Sequence, residues 1–156
     1  MNESEQQHGT SVDAIILAAG KGTRMQSDLP KVMHEVGGRP MLHWVIDACR
    51  AAGADRIVVV VGFKADLVRA SLADATDIEF VEQTEQLGTG HAVDQAREAF
   101  AARGAHDVFV LCGDGPLIRT ETLSTLLQTH RDTAADATLA TAQIEDPSGY
   151  GRILRD

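Results

Sequence analysis

Ala14-Ile15-Ile16-Leu17-Ala18-Ala19-Gly20-Lys21-Gly22-Thr23-Arg24-Met25 is the stretch on which the reading of the fold turns. A continuous apolar run from Ala14 to Leu17 that empties into a glycine-rich loop reads as a buried parallel strand, because a strand covered on both faces has no need to alternate. Two glycines and a threonine let backbone N–H groups approach an anion closely, and Arg24 adds a planar fork of donors suited to phosphate oxygens. A tight turn with solvated basic side chains would use the same residues. Two named motifs fail on spacing. No G-x-x-x-x-G-K-[ST] run occurs, and Met25 stands where a dinucleotide fingerprint needs its third glycine.

Outward from this strand, apolar runs alternate with helical patterns. Residues 41–52 put Met41, Val45, Ala48 and Ala52 on one helical stripe closed by Gly53. Residues 57–61 are consecutively β-branched and predict a strand. A short helix over 65–72 and a strand over 78–81 follow. Gly88-Thr89-Gly90 opens a helix to about residue 102, 108–111 forms another strand, 121–129 a helix, and 138–144 a further strand. This order calls for an α/β fold with a mostly parallel sheet and helices on both faces. Ligands of such sheets bind beyond the carboxyl ends of the strands, so the loops after Leu17, Val81 and Leu111 are the places to test.

Length and composition agree. A chain of 156 residues suits one domain and buries about 70% of its unfolded surface without disulfides or a structural metal. Hydrophobic content of 44% against 24% charged excludes a disordered tail protein, and no apolar run approaches a membrane span. The polar first dozen residues lack the apolar stretch of a signal peptide and are expected to form a flexible tail, leaving 13–156 as the domain. Cys49 and Cys112 form no C-x-x-C pair, Cys112 is expected to be buried, and a reducing cytoplasm is the simplest location. A net charge of −9 argues against broad binding of nucleic acid or anionic lipid. Locally the balance reverses: Lys21, Arg24, Lys31 and Arg39 outnumber Asp28 and Glu35, which marks this stretch for a phosphate.

Candidate functional residues cluster in those loops. Lys31 follows Pro30, which stiffens its approach. Gln83 carries an amide with both donor and acceptor, as reading a pyrimidine edge requires, and Gly88 and Thr89 at a helix start offer free backbone N–H groups. An N-cap and turn would use the same residues without a ligand. Asp114, just past the fourth strand, is a natural hard-oxygen ligand for Mg²⁺, or an Asx-type turn residue. The histidines show no zinc spacing, and no G-x-S-x-G hydrolase signature occurs.

Together these blocks resemble the N-terminal domain of the N-acetylglucosamine-1-phosphate uridyltransferases. The resemblance is carried by residues 17–25, Ser27 to His34, Glu85-Gln86-Leu87-Gly88-Thr89-Gly90-His91-Ala92, Gly113-Asp114 and Asp146 to Ile153. It implies a Rossmann-like nucleotidyltransferase fold that joins UTP and N-acetylglucosamine 1-phosphate into UDP-N-acetylglucosamine and pyrophosphate. Position by position, it implies that Leu17, Ala18, Ala19 and Gly20 hold the nucleotide, with Arg24 and Lys31 acting catalytically on its phosphates. Gln83, Gly88 and Thr89 would recognise the uracil end. Cys112, Gly113, Asp114 and Gly151 would line the sugar nucleotide, and Asp114 would bind Mg²⁺.

The sequence departs from the family pattern at Cys112, commonly Tyr, and at Gly115, commonly a larger apolar residue. Relative to that family the domain is expected to be incomplete at its C-terminal end, without the second metal ligand, with an unpaired strand edge and a tendency to self-associate. Competing readings are a nucleotidyltransferase for another sugar phosphate or base, and a nucleotide-binding protein without turnover. A nicotinamide-dependent oxidoreductase lacks its glycine pattern.

Overall fold

A computed structural model describes residues 11–101, 106–151 and 153–154. The first ten residues of the expected tail lie outside the described residues. Val12 does not belong to that tail: it is buried and begins the first strand.

The elements, in chain order, are β1 (Val12–Ala18), a two-residue hairpin of β2 (Glu35–Val36) and β3 (Arg39–Pro40), α1 (Met41–Ala51), β4 (Ala54–Val61) and α2 (Ala65–Ser71). β5 (Ile78–Glu82), α3 (Thr89–Gln95), α4 (Arg97–Phe100), β6 (Asp107–Cys112) and α5 (Thr120–Asp132) follow. Single 3-10 turns at Thr23–Met25 and Lys31–Met33 fill the long connection after β1. The main sheet has the order β5-β4-β1-β6 and is parallel throughout. This confirms the α/β fold with a parallel sheet.

Parity along the strands assigns two cores. Ala14, Ile16 and Ala18 of β1 and Ile57, Val59 and Val61 of β4 face a layer built from α1, α2 and α5. Ile15, Val58 and Val60 face Ala92 of α3 and Ala96 at its junction with α4. The β-branched run of β4 is buried from both sides, which is why it reads as unbroken apolar sequence. Coverage thins at β6, where Val108 is 38% and Val110 50% exposed on the α3 side. No helix among the described residues is long and apolar enough to cross a membrane.

Two expectations are corrected. Residues 138–144 form no strand: their alternation suits a pleat, but no neighbouring strand among the described residues bonds them, and Leu139 is 69% exposed. The helix expected from Gly88 to about residue 102 is two short helices. At the join the Ala96 amide donates to the Val93 carbonyl, three residues back, which tightens the turn and interrupts the regular ladder. Residues 102–105 lie outside the described ones.

Gly62, directly after β4, shows how closely the strand ends are packed. A Cβ there would stand 2.9 Å from the Ala19 Cβ, 3.0 Å from the Ala19 carbonyl oxygen and 3.1 Å from the Gln83 carbonyl oxygen, the two carbonyls belonging to the backbone that frames the cleft described below. Gly62→Val is expected to destabilise the protein by about 1–3 kcal/mol through overpacking, seen as a lower urea midpoint at unchanged slope. A midpoint equal to wild type would mean that this approach is not tight in solution.

Candidate active site

The chain runs from β1 to β4 to β5 in one direction and then returns to place β6 on the other side of β1. Beyond the carboxyl ends of the strands at this reversal a cavity of about 300 Å³ opens, where open α/β sheets bind their ligands. Leu17, Ala19 and Gly20 form its floor. Lys31, Val32, Cys112 and Asp114 line one side, and Gln83, Gln86, Gly88, Thr89 and Ala92 the other.

The first side is assembled by close backbone approach. Gly22 has φ +67°, a left-handed conformation that glycine adopts readily, and a Cβ on it would meet the Lys31 Cβ at 2.7 Å. The glycine loop therefore lies flat against Lys31, whose ammonium forms an ion pair with the Asp114 carboxylate. Asp114 is held at the cavity by its neighbour. The Gly113 amide donates to the Leu17 carbonyl at 2.9 Å, and a Cβ there would press on Leu17, Leu42 and Val32.

The second side is an amide network. Gln83 is 5% exposed, and its Nε2 donates to the Gly88 carbonyl at 3.1 Å and lies 3.0 Å from His91 Nδ1. Gln86 Nε2 donates to the Ala19 carbonyl at 3.0 Å and ties this loop to the floor.

The structure brings together Leu17, Ala19, Gly20, Lys31, Gln83, Gly88, Thr89, Cys112 and Asp114 from the expected set. Ala18 is buried in the core beneath the floor, and Gly113 packs behind the wall. Arg24 lies on an exposed turn and Gly151 on an exposed segment, neither among the cavity walls. Gln86, Val32, Ala92 and His91 were not anticipated. Gln86 is the one with a visible signal, a second amide two residues before Gly88.

Cys112 corrects an expectation: it is exposed, because it ends β6 on the face that α3 does not reach. Partial desolvation and the Asp114 carboxylate push its thiol up, with Lys31 opposing. Cys49, on the buried face of α1, is pushed up to about 12 by burial.

The donor set for a magnesium ion is modest. Among the described residues no group of three or more His, Cys, Asp or Glu side chains could hold a metal. Mg²⁺ is usually held by one or two carboxylates together with substrate phosphates. Asp114, a carboxylate on the cavity wall, is a donor of the type that mode uses.

Residues 14–154 match the MobA-like NTP transferase domain. The chain is 53% identical over 146 residues to the bifunctional protein GlmU of Pelobacter propionicus, covering 94% of this chain and 32% of that protein. It thus spans about a third of the length of the curated relatives it matches. A nucleotidyl transferase from Methanothermobacter shares the fold with a TM-score of 0.64 at 24% identity, covering 77% of this chain and 58% of that one. Rv0371c from Mycobacterium tuberculosis superposes with a TM-score of 0.62 at 27% identity, over 79% of this chain and 62% of the other.

The thiols offer a direct check of this geometry. Cys112 is expected to alkylate in the native protein, but with its onset at higher pH than a free cysteine, since the thiolate is the reactive form. Cys49 is expected to react only in denaturant. Asp114→Asn removes a carboxylate that holds the thiol up, so the Cys112 onset should move to lower pH. Mass spectrometry of the labelled peptides reads both effects, and equal native labelling of the two cysteines would contradict the burial of Cys49.

Proposed function

The chain belongs to the MobA-like NTP transferase domain family, and on that premise we propose that it transfers UMP from UTP to N-acetylglucosamine 1-phosphate. The products are UDP-N-acetylglucosamine and pyrophosphate. The observation that carries this reading is one cavity with a buried amide at one side, Gln83, and a Lys31–Asp114 cation and carboxylate at the other. A nucleoside triphosphate has the matching polarity, a hydrogen-bonding base at one end and dense negative charge at the other. Identity of 53% to a GlmU protein supports the sugar-nucleotide reading.

In the reaction an oxygen of the sugar phosphate attacks the α-phosphorus of UTP in line, and the bond from that phosphorus to pyrophosphate breaks. Such transfers need positioning and charge neutralisation more than covalent help. Lys31 exchanges its contact with Asp114 for phosphate oxygens and stabilises the charge that develops on the departing pyrophosphate. Arg24, on its exposed turn away from the cavity wall, is assigned to the outer phosphates. Leu17, Ala18, Ala19 and Gly20 supply the surface on which the nucleotide lies, and Gly88 and Thr89 frame the base beside Gln83. Cys112, Gly113 and Gly151 are assigned to the sugar side. Asp114 would hold Mg²⁺, which when bound supplies charge neutralisation on the phosphate oxygens. A second reading, nucleotide binding without turnover, is favoured by the presence of one carboxylate, Asp114, on the cavity wall among the described residues.

Lys31→Ala is expected to slow pyrophosphate release roughly 10²–10³-fold, the range seen for other preorganised electrostatic donors. Asp114→Asn should shift the Mg²⁺ titration of the same assay to higher concentration. Unchanged release in Lys31→Ala would make Lys31 a surface residue. Binding of UTP with Lys31→Ala unaffected and no wild-type release would select binding without turnover.

A further inference from the structure

Two arrangements of protons compete in the hydrogen-bond network behind the Gln83 side of the cavity, and the shorter contacts favour one of them. A backbone carbonyl can only accept, so the Gln83 amide atom 3.1 Å from the Gly88 oxygen is the nitrogen. That nitrogen lies also 3.0 Å from His91 Nδ1, which must therefore offer a lone pair to its second proton. The ring proton then sits on Nε2. Gln95 Nε2 lies 3.1 Å from His91 Nε2 and 3.4 Å from the His91 carbonyl oxygen; turning this amide so that its oxygen accepts the ring proton gives up only the long 3.4 Å contact, whereas a proton on Nδ1 would give up the 3.1 Å bond from Gln83 to Gly88. Both donors of Gln83 are thus spent inside the protein, and Oε1 alone is left for a ligand.

An acceptor facing the cavity discriminates between pyrimidines. Uracil offers an N3–H donor along its pairing edge, whereas cytosine offers a bare N3 acceptor, which would stand lone pair to lone pair with Oε1. The nearly complete burial of Gln83 raises the cost of such a mismatch, because neither group could turn to water. Turning the amide over would cure the mismatch. That move forfeits the bond to Gly88, and it keeps a bond to His91 only if the imidazole proton moves to Nδ1 and the Gln95 amide turns with it.

We propose that His91, which is not on the cavity wall, is a positioning residue that fixes which end of the Gln83 amide faces the ligand, and so sets the preference for uracil over cytosine. This rests on the base-reading role proposed for Gln83 above. Without the Nδ1 acceptor only the Gly88 carbonyl would hold the amide, and the reversed orientation would become accessible.

The experiment is calorimetric titration of this chain with UTP and with CTP. Wild type is expected to bind UTP more tightly. In His91→Leu the ratio of the two affinities should fall roughly tenfold, the scale of one hydrogen bond lost. His91→Asn, whose side-chain oxygen reaches close to the former Nδ1 position, should restore most of the ratio. A His91→Leu protein that keeps the wild-type ratio overturns the role of His91 and leaves the base reading by Gln83 intact. A wild type that does not bind UTP in preference to CTP overturns both. If His91→Leu fails to fold, nitrogen NMR of the wild-type imidazole decides: a bare Nδ1 and protonated Nε2 are expected, and a proton on Nδ1 overturns the assignment.

Discussion

The carbonyl groups at the end of β1 are the points from which the site hangs. β1 lies between β4 and β6 with both faces covered, so its path is dictated by the sheet before any loop is considered. Where the ladder runs out, the Leu17 carbonyl accepts from the Gly113 amide, and the Ala19 carbonyl accepts from the Phe63 amide and from Gln86 Nε2. Three loops distant in sequence are thereby tied to one strand end. Each bond is of ordinary strength, on the order of 1 kcal/mol net, but unmade buried carbonyls would cost more. The cavity is accordingly a property of the sheet, with little freedom left to its loops.

Charge at the site is balanced but weakly held. Lys31 is 44% and Asp114 28% exposed, and ion pairs at such accessibility contribute roughly 0–1 kcal/mol. A pair of that strength compensates the lysine and the carboxylate when nothing else is present. Under the proposed function it would yield to a polyphosphate, whose oxygens offer the lysine a denser negative charge. The basic stretch around it stands out from a chain of net charge −9, so attraction of an anion is confined to this end of the sheet. Gln83 contrasts with this arrangement. It is buried, neutral and bonded on both amide protons, and it contributes direction where Lys31 contributes charge.

The two sides of the sheet are unequally finished. On one face α1, α2 and α5 cover the full width, with Phe109 and Leu111 of β6 included in the packing. On the other, α3 covers β1 and β4 but leaves Val108, Val110 and Cys112 outward. The exposure of Cys112 therefore comes from its parity on an edge strand, and its reach to the cavity from the same parity as Leu17 beside it.

Much of this was legible in the residues themselves. Apolar runs bounded by glycine identified β1, β4 and β6, and the stripe of Met41, Val45 and Ala48 identified α1, because continuous burial and helical periodicity leave marks within a few neighbouring positions. Gly20, Lys31, Gln83 and Asp114, singled out in the loops that follow the strands, line the same cavity. What stayed hidden depends on contacts between distant segments. The run 138–144 has strand periodicity but no strand partner among the described residues, the helix after Gly88 breaks at Ala96 where its turn tightens, and Cys112 has the neighbours of a buried residue on an uncovered face. Sequence alone determined the order of elements, the parallel sheet and the chemical types gathered after its strands. Tertiary structure alone decided that Lys31 meets Asp114, that Arg24 stands off the cavity wall and that His91 backs Gln83, since hydrogen bonds and ion pairs across loops are set by distances in space that no local pattern encodes.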